Sequence, residues 1–157
     1  MSLQIDTGST VPEFTFNSMT GTDQKFSQFK GSNVVLYFYP RDLTPGCTIE
    51  SKGFRDHIDA FKKANTIIIG ISRDTIAKHQ NFIDKHELPF DLISDTEEVI
   101  CELFATMKNK SMFGKQVRGI ERSTFLIDKK GVVQKVWRKV KVRAHVEEVL
   151  EAAKNLS

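Results

Sequence analysis

The sequence predicts an α/β fold in which a mixed central β-sheet is flanked by helices, with a β-hairpin near the N-terminus. Three observations predict it: short runs of β-branched and aromatic residues, helical stripes of apolar residues between them, and a late turn that joins two antiparallel strands. The 157 residues are 39% hydrophobic and 27% charged, which is ordinary usage for a globular protein. We therefore expect one domain spanning residues 1–157.

Each predicted strand follows from the spacing of its apolar residues. Phe14 and Phe16 alternate with polar residues before a turn at 20–21, which predicts the N-terminal hairpin. Two of the later runs are continuously apolar, as expected for strands that are covered on both faces. The predicted later strands are 34–39, 66–72, 90–94, 124–127 and 132–142. The turn at 128–131 makes the last two an antiparallel pair.

Stripes of apolar residues at helical spacing fall between and after the strands. They comprise Phe54, Ile58 and Phe61, then Val99, Ile100, Leu103, Phe104 and Met107, and finally Val146, Val149, Leu150 and Ala153. A weaker helix is predicted over 74–86, and the Lys-, Gly- and Gln-rich segment 108–119 is predicted to be a long loop. Strands that alternate with helices imply a parallel sheet with helices on both faces, to which the late hairpin adds antiparallel strands.

Composition and charge exclude several classes of protein. The balance of 23 basic and 20 acidic residues falls short of the signature of nucleic-acid binding, and the longest apolar run, 34–39, is far too short to span a membrane. Two cysteines cannot form a disulfide scaffold, and the four histidines lack the spacing of metal ligands, so no metal is predicted. Without a secretory segment, we expect a cytoplasmic protein, and a monomer is favoured over a dimer because every apolar stripe is assigned to the core.

The segment 40–50 follows a predicted buried strand and opens a predicted helix, which is where open α/β sheets form ligand sites. Thr44 suits the helix N-cap and Pro45 suits the first helical position. Cys47 then lies in the first turn, where free N–H groups and the helix dipole favour the thiolate, and Gly46 leaves room for a small substrate. The residues alone leave a second interpretation open, in which Cys47 is a small buried core residue.

Three blocks of sequence resemble a known family. Pro40, Thr44 and Cys47 match the Pro-x-x-x-Thr-x-x-Cys motif of peroxiredoxins. The wider segment 37–56 and two later blocks, 119–128 and 137–145, resemble the branch of bacterioferritin comigratory protein, or peroxiredoxin Q. The resemblance runs from about Gly8 to the end of the chain, and its three blocks occur in the right order. It implies a thioredoxin-like fold.

The resemblance implies a thiol-dependent peroxidase that reduces hydrogen peroxide and organic hydroperoxides without a metal, haem or flavin. Cys47 corresponds to the peroxidatic cysteine, whose thiolate attacks the peroxide and becomes a sulfenic acid. Thr44 would offer its hydroxyl to the thiolate and the peroxide, and the guanidinium of Arg122 would stabilise the charge on both. Pro40 would shape one wall of the pocket. Glu50 also matches the branch, where we expect it only to support the start of the helix.

The second thiol departs from the pattern of the family. Many members carry a resolving cysteine where this chain has Lys52, others carry it near Ile83, and the only other cysteine here is Cys101. In one interpretation Cys101 is packed in the core, and glutathione or a glutaredoxin reduces the sulfenic acid. In the other, Cys101 is partly exposed and resolves Cys47 after local unfolding, and thioredoxin reduces the disulfide. The frequency of inert buried cysteines favours the first. A thiol–disulfide exchange protein, which would need a second cysteine in place of Glu50, and a redox-inert binding domain are the alternative functions.

Overall fold

The computed structural model describes residues 5–156, in which strands and helices alternate. The strands are β1 (Thr15–Ser18), β2 (Gly21–Lys25), β3 (Asn33–Phe38), β4 (Thr66–Ser72), β5 (Asp91–Ser94), β6 (Met107–Met112), β7 (Lys115–Ile120), β8 (Ser123–Ile127) and β9 (Val133–Trp137). The helices are α1 (Pro45–Asp56), α2 (Ile58–Lys63), α3 (Ile76–His86), α4 (Val99–Leu103) and α5 (His145–Lys154). Of the helices within residues 5–156, none is long and apolar enough to cross a membrane.

Seven strands form one mixed sheet in the order β2-β1-β5-β4-β3-β8-β9. The central strand β3 pairs in parallel with β4 and antiparallel with β8, and β4 pairs in parallel with β5. The antiparallel pairs β1–β2 and β8–β9 form the two edges. This topology confirms the predicted mixed sheet, the N-terminal hairpin and the late antiparallel pair.

The sheet separates two hydrophobic cores, because successive side chains of a strand point to opposite faces. The first core contains Cys101 of α4 together with Val34, Leu36 and Phe38. The second contains Cys47 of α1 together with Val35, Tyr37 and Tyr39. Side chains of α2, α3 and α5 complete the second core, so helices cover both faces as the sequence predicts.

The prediction of a long loop over 108–119 is wrong, because β6 and β7 form an antiparallel hairpin there. The turn residues Phe113 and Gly114 have φ angles of 52° and 78°. Two positive φ angles are the pattern of a type I′ turn, in which Asn or Asp usually precedes the glycine. Because the chain has Phe113 where Asn or Asp is usual, the sequence does not predict this turn.

Three other predicted boundaries are wrong. The stripe that begins at Phe54 is divided into α1 and α2 at His57. The stripe over 99–107 is helical only to Leu103, and the guanidinium of Arg138 donates to the carbonyl oxygens of Phe104 and Ala105 just beyond that helix. The strand predicted over 132–142 ends at Trp137 because Arg138 turns toward these carbonyls.

Candidate active site

Cys47 lies in the first turn of α1, directly beyond the carboxyl end of β3. Thr44 occupies the N-cap position with an extended backbone, and Pro45 is the first helical residue. The hydroxyl of Thr44 donates to the carbonyl oxygen of Arg41 at 2.8 Å instead of accepting from the helix. The Cys47 side chain is fully buried. The start of α1 therefore brings the sulfur to the positive end of the helix, where an anion is stabilised.

Arg122 lies in the short connection between β7 and β8. It contacts the Cys47 sulfur although it is 75 residues away in sequence. Its Nη2 lies 3.3 Å from the Cys47 Sγ, and its Nη1 donates to Glu50 Oε1 at 2.7 Å. Burial alone would lower the pKa of Arg122, but the charges of Glu50 and Cys47 outweigh burial and raise that pKa, so the guanidinium is charged. A Cβ on Gly46 would lie only 3.1 Å from Nη2, so this glycine lets the guanidinium approach.

Glu50 lies inside the site rather than at the helix surface. Its side chain is fully buried, and burial raises its pKa to about 7 although the charge and hydrogen bond of Arg122 act in the opposite direction. Within residues 5–156 its Oε2 has no hydrogen-bond partner, and His145 Nε2 lies 3.9 Å away. His145 instead contacts Thr124 Oγ1 at 2.8 Å, and burial lowers the pKa of His145 to about 4, so its ring is neutral near pH 7.

An open pocket of about 740 Å³ leads to the site from the side of the β6–β7 hairpin. Both Pro40 and Arg122 line it, and three lysines add positive charge to its walls. The remaining lining residues are Lys108, Asn109, Lys110, Glu121, Lys139 and Val140. The pocket can thus admit a small polar molecule to the guanidinium beside Cys47.

The structure does not bring Cys101 into this site. Its side chain is fully buried in the first core, on the opposite face of the sheet from Cys47, as the favoured interpretation expects and unlike the partly exposed Cys101 of the alternative. Its N–H donates to Asp95 Oδ2 at 2.7 Å. Burial, with the nearby charge of Asp95, raises the pKa of the Cys101 thiol well above its usual value. A thiol in these surroundings is a poor nucleophile.

A buried polar cluster that includes a residue of the loop between β3 and α1 was not predicted from the spacing of histidines. Asp42, Asp74 and His79 place one potential metal-ligand atom each within 4.8 Å of the others. They come from three separate segments, so no local spacing reveals them. The one signal in the sequence is that Asp42 lies between Pro40 and Thr44, within the segment that carries the chemistry.

Comparisons with known proteins show which family this chain resembles over its length. A model described as the AhpC/TSA family matches residues 7–136. Peroxiredoxin Bcp of Bacillus subtilis (strain 168) is 47% identical over 155 residues, which cover 99% of each chain. A structure of Xanthomonas campestris peroxiredoxin Q superposes with a TM-score of 0.88 and 42% identity, covering 98% of this chain and 97% of that one.

A second Xanthomonas campestris structure also superposes on this chain. It has a TM-score of 0.88 at 40% identity, and it covers 99% of both chains. It belongs to trapped-intermediate and ligand complexes that address the alkyl peroxide reduction activity of that organism's bacterioferritin comigratory protein.

Proposed function

The chain belongs to the AhpC/TSA family and is a peroxiredoxin, a thiol-dependent peroxidase, and from this premise we propose that Cys47 is its peroxidatic residue. The contact of 3.3 Å between Arg122 Nη2 and the Cys47 Sγ carries the proposal. A permanently charged guanidinium and the start of a helix both favour the thiolate, which is the nucleophilic form. The alternative of thiol–disulfide exchange is not supported, because Glu50 holds Arg122 where a second cysteine would be needed.

The proposed step forms a bond between the Cys47 sulfur and the distal peroxide oxygen while the O–O bond breaks. The sulfur is oxidised to a sulfenic acid, and the peroxide is reduced to an alkoxide or hydroxide that takes a proton from solvent. Arg122 donors stabilise negative charge as it moves from sulfur to oxygen. The Thr44 hydroxyl donates to the carbonyl oxygen of Arg41, so the part left to it in the reaction is to accept a hydrogen bond from the peroxide, and Pro40 forms part of the pocket wall. Substrates are hydrogen peroxide and organic hydroperoxides, in line with the alkyl peroxide activity of the Xanthomonas campestris protein.

We further propose that a separate thiol reduces the sulfenic acid. Cys47 and Cys101 are both fully buried and belong to cores on opposite faces of the sheet, so a bond between them would require the fold to open. The external thiol attacks the sulfenic sulfur, releasing water and forming a mixed disulfide that a second thiol then resolves. Glutathione, a glutaredoxin or thioredoxin would supply these thiols in the cytoplasm. The cytoplasmic location and the monomeric state stay predictions.

Intact-mass measurement after one equivalent of hydrogen peroxide tests both parts. We expect Cys47→Ser to abolish peroxide consumption, and we expect the Cys101→Ser protein to gain one oxygen at the rate of the parent. Consumption by Cys47→Ser at the parent rate would contradict the role of Cys47. Loss of two hydrogens from a monomeric parent would indicate a Cys47–Cys101 disulfide, which contradicts the external-thiol proposal but leaves the peroxidatic role intact.

A further inference from the structure

The loop between β3 and α1 is tied to the sheet through one buried side chain, that of Asp42. The hydroxyl of Tyr39 donates to Asp42 Oδ1 at 2.6 Å, and His79 Nδ1 lies 2.6 Å from Asp42 Oδ2. The backbone N–H of Asp42 donates to Asp74 Oδ2 at 2.8 Å, and the Ser72 hydroxyl donates to the same oxygen at 2.6 Å. The loop that carries Pro40 and Thr44 is thus fixed at its middle residue from three directions.

His79, on α3, is held in its charged form by these neighbours. Its ring is fully buried, with Nδ1 at the Asp42 carboxylate and Nε2 at 2.9 Å from the carbonyl oxygen of Ile93. Both partners can only accept hydrogen bonds, and only the imidazolium has a donor on each ring nitrogen. Burial lowers the pKa of His79, but Asp42, the Ile93 carbonyl and Asp74 outweigh burial and raise it. The charged and titratable groups that face the ring are these two aspartates and Tyr39.

This hydrogen bonding also argues against a metal ion among Asp42, Asp74 and His79. A histidine must offer an unprotonated nitrogen to a metal, whereas both nitrogens of His79 donate. The carboxylate oxygens that face His79 and the loop already accept from His79, Tyr39, Ser72 and the Asp42 backbone. The cluster is a closed hydrogen-bond network.

The loop needs such an anchor, because its next residue is strained. Leu43 has a φ of 65°, which lies in the left-handed region that a residue with a Cβ adopts only at an energetic cost. Its side chain is 45% exposed, so packing of Leu43 itself does little to hold this conformation. Leu43 directly precedes Thr44, the N-cap of the helix that carries Cys47. A shift at Leu43 would therefore move the start of α1.

We propose that His79 is a positioning residue for the peroxidase reaction: through Asp42, its imidazolium fixes the loop that carries Pro40 and Thr44 to the start of the helix that holds Cys47. The proposal rests on the proposed role of Cys47. His79 does not touch the reacting atoms, so it acts on the geometry of the pocket. A misplacement of about 1 Å at such a site can cost on the order of a hundredfold in rate.

Two variants separate the effect of losing the hydrogen bond to Asp42 from the effect of losing the imidazole ring. His79→Asn places an amide N–H near the position of Nδ1 and can still donate to Asp42. His79→Gln places its amide near the position of Nε2 and gives up that donor. We expect the single-turnover rate of Cys47 oxidation by hydrogen peroxide, per folded molecule, to fall about ten- to a hundredfold in His79→Gln. His79→Asn should recover most of this loss. His86→Gln, in the same helix but outside the network, is the control and should react at the parent rate.

A second readout distinguishes positioning from general loss of structure. Alkylation of Cys47 by iodoacetamide requires access to the sulfur but not the alignment of a peroxide O–O bond, so it should change less than threefold in His79→Gln while peroxide oxidation falls. Equal rates of peroxide oxidation in parent and His79→Gln, or equal losses in the Asn and Gln variants, would overturn the proposal. If His79→Gln does not fold, Asp42→Asn tests the same contact from the loop and must also slow peroxide oxidation. Failure of the proposed function would be seen separately, as peroxide consumption by Cys47→Ser.

Discussion

Glu50 is an acid whose two oxygens lie in unequal surroundings. Oε1 accepts from Arg122 at 2.7 Å, whereas Oε2 is buried without a hydrogen bond among residues 5–156. Burial raises the pKa of Glu50 to about 7, so this carboxyl changes charge near neutral pH. When Glu50 is protonated, its carboxyl no longer balances the charge of the Arg122 guanidinium, which also contacts the Cys47 sulfur. When Glu50 is ionised, its carboxylate balances that charge.

The pH dependence of stability should report this environment. Because the pKa of Glu50 is raised in the folded state, that state binds more protons than the unfolded chain between about pH 4.5 and 7, and the free energy of unfolding falls as pH rises through this window. The contribution of Glu50 to this fall is about 3 kcal/mol. Glu50→Gln should remove it. Urea denaturation at pH 5 and pH 7.5 measures the difference, with exposed Glu151→Gln as the control. The same decline in parent and Glu50→Gln would contradict this interpretation.

At the scale of residues, the sequence locates side chains that lie in or beside one short motif. Cys47 and the N-cap Thr44 follow from local signals for the start of α1, whereas Pro40 follows from the motif of the family that the chain resembles. Arg122 is found only by resemblance, because a lone arginine 75 residues from the cysteine carries no local signal. The contact of Asp42 with His79 joins residues that are 37 positions apart. Burial strengthens this contact, and no pattern in the sequence predicts that burial.

Among the elements, the β6–β7 hairpin differs most from expectation. Its strands pair with each other and with no strand of the seven-stranded sheet. The residues of β7 from Lys115 to Arg118 are all exposed, so they lack the alternation of apolar and polar residues that marks a half-buried strand. The strands 34–39 and 66–72 were predictable for the opposite reason, since both faces of each are packed against helices or loops.

The turn of this hairpin can be improved by one substitution. Phe113 is 99% exposed and has a φ of 52°, so its ring contributes little packing while its backbone is strained. We expect Phe113→Asn, which creates the Asn-Gly pair favoured in type I′ turns, to raise the free energy of unfolding by roughly 1 kcal/mol. Urea denaturation measures the gain. Phe113→Leu keeps a bulky residue at the same φ and should not raise the free energy of unfolding. An equal gain in both variants would contradict the turn explanation, because it would show that the gain comes from removing the exposed ring.

Considered as a whole, the molecule uses its sheet as a partition between two thiols with different chemistry. Cys47 faces Arg122 at one end of the second core, whereas Cys101 is enclosed in the first core near Asp95. This partition directly supports the interpretation in which Cys47 is reduced by an external thiol. The sequence supports that interpretation only through the general frequency of buried cysteines. Sequence alone could not supply it, because the face that a residue of α4 occupies is set by tertiary packing.

Cys101 should consequently report the opening of the entire fold. In the Cys47→Ser protein, we expect iodoacetamide to alkylate Cys101 at least about a thousandfold more slowly than in the urea-unfolded chain, since access requires an opening whose free energy approaches that of global unfolding. The labelling rate should rise in parallel with the unfolded fraction as urea is added. Cys101→Ser in the same background controls for other sites of alkylation. Rapid labelling under native conditions would contradict the enclosed position of this thiol.

The strand order has a consequence for how the protein is made. Ser18 of β1 pairs with Ile93 of β5, and Thr10 forms a bridge with Val132, next to β9. Ser18 and Thr10 therefore meet these partners only after a long following segment of the chain has been synthesised. Until then, Phe14 and Phe16 can stack on the nearby rings of Phe26 and Phe29, but Phe14 lacks its edge contact with Phe104. Closure of the first core thus requires residues as far along the chain as Val133.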